Sequence, residues 1–398
     1  MSGKSCNFVA MMTNDDKNSL LTRTECQAMK GLAILSIMLH NLCHLMPVAR
    51  GTNEFAFSEH AASNLWDYLQ HIDGNWFLVL GAFFGQFGVQ VFLFLSAYGL
   101  VRKYEQGRGV GVGHREFISE HYWKLFRLMI IGLVIAVFLG ELMKRDGGWF
   151  LNTYLGMHGF KMHFMSRPEY WIPQTFMITN LLPHPDVNIW PGPFWFLGIM
   201  VQLYIVYRIF LYATPQSPAW RRWLPVLLFL AVTLVPQYLV PHTGEAITYL
   251  RYNFLIAGVP FAAGLLAARY VRRPVITGKV ALAATFALST AAFIAMQFDF
   301  TLWLWCPIFF VLAVASLVRL AGERLMKPIV WVGVISSALF IVHPIVRIFF
   351  FTWDWCPASC DHLYLVLLVY AAVSILAAVG YRRLIAYLPS PKKVTQYR

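Results

Sequence analysis

Apolar stretches of about twenty residues recur along this chain, and they leave it few folds to choose from. A stretch of that length, wound as a helix, crosses a hydrocarbon core of about 30 Å. Inside lipid a single helix satisfies its own backbone hydrogen bonds, whereas an open strand cannot. Ten such stretches are predicted, near residues 29–48, 77–101, 122–142, 194–213, 222–240, 248–268, 278–297, 300–320, 330–351 and 362–387. Only 13% of the residues are charged, against about 25% in soluble domains. The expected fold is therefore all-α, a polytopic membrane bundle of about ten helices.

The formal net charge of +13 raises the question of nucleic acid. The basic residues answer it, because they sit between the apolar runs in the pattern that membrane topology produces. Of the 32 Lys and Arg, 22 fall in alternate segments that begin with the N-terminal leader, and only five fall in the opposite loops. The bias predicts ten helices with both termini cytoplasmic and excludes nucleic acid as the partner. The expected organisation is a leader over residues 1–28, a membrane domain over 29–387 and a tail over 388–398, with no internal repeat. No cleavable signal is evident. Cys356 and Cys360 lie in the outer loop WCPASC, where a disulfide and two free thiols are equally open. The cysteines lack the paired spacing of a zinc site, and no metal is expected.

The chemistry concentrates in two spans. In KGLAILSIMLHNLCH, Lys30 to His44, the residues Ser36, His40 and His44 recur every four positions and share one helical face. Ionisable groups at membrane depth are costly and by default suggest a functional site. The alternative is a pair of neutral histidines packed against polar neighbours. In ISSALFIVHPIVRIFF, His343 and Arg347 are again four apart, and Pro344 disturbs the local backbone. A permanently charged guanidinium there needs a partner or a wet cavity, unless it snorkels to the interface. Helical rise puts His40 about 15 Å above Lys30, His44 about 21 Å, and His343 about 20 Å from the same face. Three imidazoles thus fall near the midplane, where a neutral one can take a proton from a hydroxyl. An arginine beside them can stabilise an oxyanion or hold an anionic group. Lys124 and Arg127 flank the mouth of the third span, where they bind phosphates or merely set topology. Arg251 lies near the outer mouth of the sixth.

These segments together resemble the acyltransferase-3 family of integral membrane acyltransferases. The opening segment resembles its first-helix motif, a basic residue followed by an intramembrane His. GVQVFLFLSAYGL, FISEHYWKLFRL, GPFWFLGIMVQLYIVY and SSALFIVHP resemble four further motifs, in order along nearly the whole chain. The resemblance implies transfer of an acyl group, usually acetyl, from acyl-CoA to a hydroxyl of a cell-envelope carbohydrate or lipid-linked glycan. It implies an essential first-helix His, a cytoplasmic donor entrance lined by basic residues, and residence in the bacterial cytoplasmic membrane. No permanently bound cofactor is implied; acyl-CoA is a substrate.

Two departures stand out. The family places ten residues between an Arg and its His. Here the basic residue is Lys30, nine residues precede His40, and the family spacing lands on Asn41. The segment Gly198–Gln202 also lacks the acidic residues that many members carry. The expected site is therefore His40, His44 and His343 as catalytic candidates, with Lys30, Lys124 and Arg127 at the donor. Arg347, Arg251 and Asn41 are the candidates for acceptor or oxyanion. The rival expectation is a glycan or lipid transporter without covalent chemistry, which would call for inverted repeats or half-helices.

Overall fold

A computed structural model describes residues 19–49, 56–145, 168–241, 244–272, 278–352 and 362–390. The loop with Cys356 and Cys360 lies outside these residues. The described chain is helical, and its one β contact is an isolated bridge between Ser19 and Arg272. The helices are α1 (Arg23–Cys43), α2 (Glu59–Gln70), α3 (Trp76–Phe84), α4 (Gly88–Leu100), α5 (His114–Arg145), α6 (Pro168–Thr175) and α7 (Pro185–Asn188). They continue with α8 (Trp195–Val206), α9 (Ala219–Leu239), α10 (Glu245–Arg251), α11 (Gly258–Tyr270), α12 (Lys279–Ala295), α13 (Phe300–Thr352) and α14 (Leu363–Tyr387). The all-α membrane bundle expected from the sequence is what the chain forms.

Among the described residues, seven helical segments are long and apolar enough to cross a membrane. An eighth arises if the bent pair Glu245–Arg251 and Phe254–Tyr270 is one span. Two local features separate this number from the ten expected. Helix α1 is not in the set, because Lys30, His40 and Asn41 interrupt its apolar run. The expected spans 300–320 and 330–351 are joined in α13, whose 53 residues would measure about 80 Å if straight. It is not straight, because Gly322 sits at φ 72° and ψ 173°. That backbone lies outside the helical region and suits a residue without Cβ. The break divides α13 into two arms, each near the length of a bilayer crossing.

Helix α1 is the axis of the bundle. Its start is fixed by a capping box, in which Thr22 and Glu25 exchange side-chain and backbone hydrogen bonds of 3.1 and 2.7 Å. Such a cap contributes about 1 kcal/mol. Glu25 also receives Arg319 Nε at 3.0 Å, which ties this end to the first arm of α13. The second arm lies so close that a Cβ at Gly31 would overlap the Ile329 carbonyl, and one at Gly333 the Gln27 carbonyl. On another side, the 3-10 turn Gly85–Phe87 joins α3 to α4, and Gly85 and Gly88 press on the Ser36 and Ala33 carbonyls. Small residues let membrane helices approach to backbone contact in this way. The outer helices invert the soluble pattern: Leu239 on α9, Leu288 on α12 and Leu376 on α14 are largely exposed, as a lipid-facing surface requires.

Candidate functional site: a histidine pair inside the bundle

The ladder foreseen on α1 exists, and each rung is held by a backbone carbonyl. Ser36 Oγ donates to Gly85 O at 2.8 Å. His40 Nδ1 lies 2.6 Å from Ala82 O, and His44 Nδ1 lies 2.7 Å from His40 O. A carbonyl only accepts, so both Nδ1 atoms carry the proton, and in the neutral ring the basic lone pair sits on Nε2. The two imidazoles stack, with centroids 4.9 Å apart and planes inclined by 16°. His40 is buried and His44 half-buried. The glycine turn makes this possible. At Gly85 a Cβ would run into Ser36 O and His40, so any other residue there would push α3 away from the histidines.

Position 41 points elsewhere. Arg347 Nη1 donates to Asn41 O at 2.8 Å and to Asn41 Oδ1 at 3.0 Å. Asn41 Nδ2 in turn donates to Ile37 O at 2.9 Å. The guanidinium is therefore turned inward onto α1. One turn before it, His343 is fully buried, and its Nδ1 lies 3.0 Å from Tyr370 Oη on α14. Tyr370 also donates to His343 O at 3.3 Å. The Nε2 of His343 is buried without a hydrogen-bond partner among the described residues. The structure thus joins His40 to His44, and Asn41 to Arg347. It sets His343 on a separate contact with Tyr370, a partner that no sequence pattern pointed to.

The donor candidates are spread out. Lys30 lies half-buried beside Gly31. Lys124 is exposed and pairs with Glu120, which also receives Lys103 Nζ at 3.3 Å. Arg127 Nη2 donates to Ile385 O at 2.6 Å, joining α5 to α14. Arg251, at the end of α10, lines a narrow gap with Phe57, Gln237 and Trp303.

The missing acidic residues of α8 have a structural counterpart. Gly198 leaves room for the Asn180 carboxamide, which donates to Trp195 O at 2.9 Å and Tyr252 O at 2.6 Å. Asn253 Nδ2 reaches Asn180 O at 3.0 Å, and Gln202 Nε2 reaches Asn253 Oδ1 at 3.0 Å. A network of neutral amides therefore locks the segment before α7, α8 and the bend between α10 and α11 together.

Where α1 begins, a cavity of about 400 Å³ opens among Tyr98, Arg102, Gln106, Arg222, Arg269 and Arg272. In the sequence these arginines stood only as topology markers. They lie up to 170 positions apart, and nothing in their spacing announces a common pocket. Among the described residues no group of three or more His, Cys, Asp or Glu is arranged to hold a metal ion.

The family model of the acyltransferase domain, acyltransferase-3, matches residues 25–382. No curated protein and no solved structure matches the chain.

Proposed function

The chain belongs to the acyltransferase-3 family, and from that premise we propose that it moves an acyl group, most simply acetyl, from acyl-CoA to a hydroxyl of a cell-envelope carbohydrate. The setting is the bacterial cytoplasmic membrane, with the donor entering from the cytoplasmic end of α1. The observation that carries the reading is the stacked histidine pair, each ring fixed by a backbone carbonyl in one tautomer. A base that need not reorient before it takes a proton suits general base catalysis.

In the proposed reaction His40 Nε2 takes the proton of the acceptor hydroxyl. The oxygen attacks the thioester carbonyl, the carbon–sulfur bond breaks, and the proton leaves His40 with the CoA thiolate. The products are an ester and free CoA. His44, stacked against His40, shields the transient imidazolium and presents its ring face to the charge. Arg347, held on Asn41, supplies a fixed positive charge for the oxyanion or the acceptor. His343, one turn before that arginine, and Tyr370 orient the acceptor.

The test uses purified protein in detergent with acetyl-CoA, following release of the CoA thiol. In parallel, envelope glycans are compared by mass spectrometry with and without the gene. Loss of one acyl unit from a glycan, together with acceptor-dependent thiol release, supports the reading. Glycan translocation with no CoA release would overturn it.

A further inference from the structure

The gap beside Arg251 is the outer end of a longer slot. Gln237, Ile256 and Trp303 line that gap, and they also line a second chamber deeper in the bundle, between α4, α9, α11 and α13. The outer chamber measures about 10 Å³ and the inner one about 30 Å³. Spaces of this size take one or two waters and are too small for a sugar ring. In the wall of the inner chamber stands Gln90 of α4, which is only 9% exposed. Its Oε1 is buried and accepts no hydrogen bond among the described residues. From Gln90 to Leu100, the last residue of α4, the helix rises about 15 Å, half of a hydrocarbon core of about 30 Å. The slot therefore carries polar atoms to midmembrane depth.

Its lining is rich in hydrogen-bond acceptors. Gln237 Nε2 donates to Thr233 O at 2.9 Å and to Leu255 O at 3.1 Å. Both amide hydrogens are thereby used, and what the side chain still offers is the acceptor Oε1. Pro260, in the first turn of α11, and Pro307, inside α13, also line the inner chamber. A proline has no N–H for the carbonyl four residues before it. Those carbonyls belong to Ile256 and Trp303, and both residues line the slot. In membrane helices such freed carbonyls are satisfied again by neighbouring side chains or ordered water. An occupant that matches this wall must donate hydrogen bonds. No acidic residue lines either chamber to offset a cation, and Arg251 lines the outer one, so the donor that fits is neutral.

We propose that this slot is a binding site for a neutral hydroxyl group, which donates to Gln90 Oε1 at the junction of α4, α9, α11 and α13. By size the source is water, entering past Arg251. A water has a second hydrogen for Gln237 Oε1, and bonded to both amides it ties α4 to α9. Gln237 carries that tie onward to Leu255, just before α11. The bound water thus closes the deficit of donors that the two prolines and Gln90 leave in an apolar setting. A second source of the same chemistry is an exocyclic hydroxyl of a carbohydrate whose ring stays at the mouth. That second source rests on the transfer reaction proposed above, whereas the hydroxyl site itself does not.

Radiolytic footprinting tests this directly, because an X-ray pulse turns a bound water into a hydroxyl radical that oxidises the side chains beside it. Full-length protein in nanodiscs is irradiated, and oxidation is read residue by residue by mass spectrometry. Phe87 lines the inner chamber and is 2% exposed, so radicals from bulk water do not reach it. In the wild type it should be oxidised faster than Phe194, which is as deeply buried and does not line the slot. Gln90→Leu should lose the label at Phe87. If the wild type labels Phe87 no faster than Phe194, or if the folded leucine variant keeps the label, the proposal is overturned. Should the leucine variant not fold, the wild-type rates decide. A methyl glycoside added to the wild type separates the sources: suppression of the label assigns the site to a carbohydrate hydroxyl, and an unchanged label assigns it to water. Suppression by sodium chloride but not by choline chloride would place a cation in the slot and overturn the proposal. None of these readouts needs turnover, so failure of the transfer reading leaves them intact.

Discussion

Replacing His40 by asparagine separates what the ring holds from what it does. The asparagine amide nitrogen stands as many bonds from Cβ as imidazole Nδ1, so it can donate to the Ala82 carbonyl that Nδ1 meets at 2.6 Å. Nothing takes the place of Nε2. A positioned general base contributes about 10²- to 10⁴-fold in rate, which corresponds to about 3–5 kcal/mol on the barrier. Stability should change little, because the backbone bond survives, and loss of the stack on His44 costs about 1 kcal/mol. His40→Ala removes the hydrogen bond as well and strands a buried carbonyl, an added penalty of about 1–3 kcal/mol. The assay pairs acceptor-dependent thiol release with thermal unfolding in detergent, followed by tryptophan fluorescence. The asparagine variant should unfold near the wild-type temperature and transfer at most one percent as fast. If it is folded and transfers within threefold of wild type, His40 is not the base. The same substitution at His44, whose Nδ1 is held by the His40 carbonyl, then becomes the next assignment to test.

Other perturbations probe the frame around the pair. Gly85→Ala sets a methyl group against Ser36 O and His40; it should lower the unfolding temperature through about 1–3 kcal/mol of overpacking and reduce transfer with it. Glu105→Gln leaves the Arg269 guanidinium buried without its anion, and a broken buried pair costs about 3–5 kcal/mol, readable as a loss of folded protein in detergent. Asn41→Ala removes the side-chain acceptor of Arg347 and keeps the backbone carbonyl at 2.8 Å; stability should fall by about 1 kcal/mol, whereas Arg347→Ala should abolish more transfer than stability. The exchange His40→Asn with Asn41→His restores the family spacing but moves the imidazole off Ala82 and toward Arg347; thiol release should stay as low as in His40→Asn alone.

The residue types of the site were legible in the sequence, and their partners were not. Two histidines on one apolar face, and a His–Arg pair in a later span, stand out because ionisable groups are rare at such depth. The partners that fix them are mostly backbone: Ala82 O for His40, His40 O for His44, Asn41 O for Arg347. A carbonyl leaves no trace in residue identity. The turn GQFG carries the small residues that let α3 and α4 approach α1 to backbone contact. The division of α13 was legible as well, since Arg319, Glu323, Arg324 and Lys327 interrupt the apolar run around Gly322, and separate spans were expected on either side of it. Charge patterning located the arginines of the pocket at span ends, but only the folded ends of α4, α9 and α11 bring them together. For the same reason Lys124 and Arg127, adjacent in sequence to a basic motif, are engaged by Glu120 and Ile385 instead.

The one-residue departure from the family spacing now has a geometric meaning. Successive residues on a helix point about 100° apart, so moving a side chain from position 41 to position 40 changes the helix it faces. At position 41 it meets Arg347 on the second arm of α13; at position 40 it meets Ala82 on α3. An imidazole at position 41 would face the Arg347 guanidinium, with Ile37 O in reach. An imidazole at position 40 instead meets the Ala82 carbonyl and a stacking partner in His44. Asn41, left at the family position, has an oxygen to offer the arginine and no charge to oppose it. The two departures, His at 40 and Asn at 41, are therefore one arrangement. His40 turns toward the glycine turn of α3, and the vacated face anchors Arg347, the arrangement on which the proposed reaction relies.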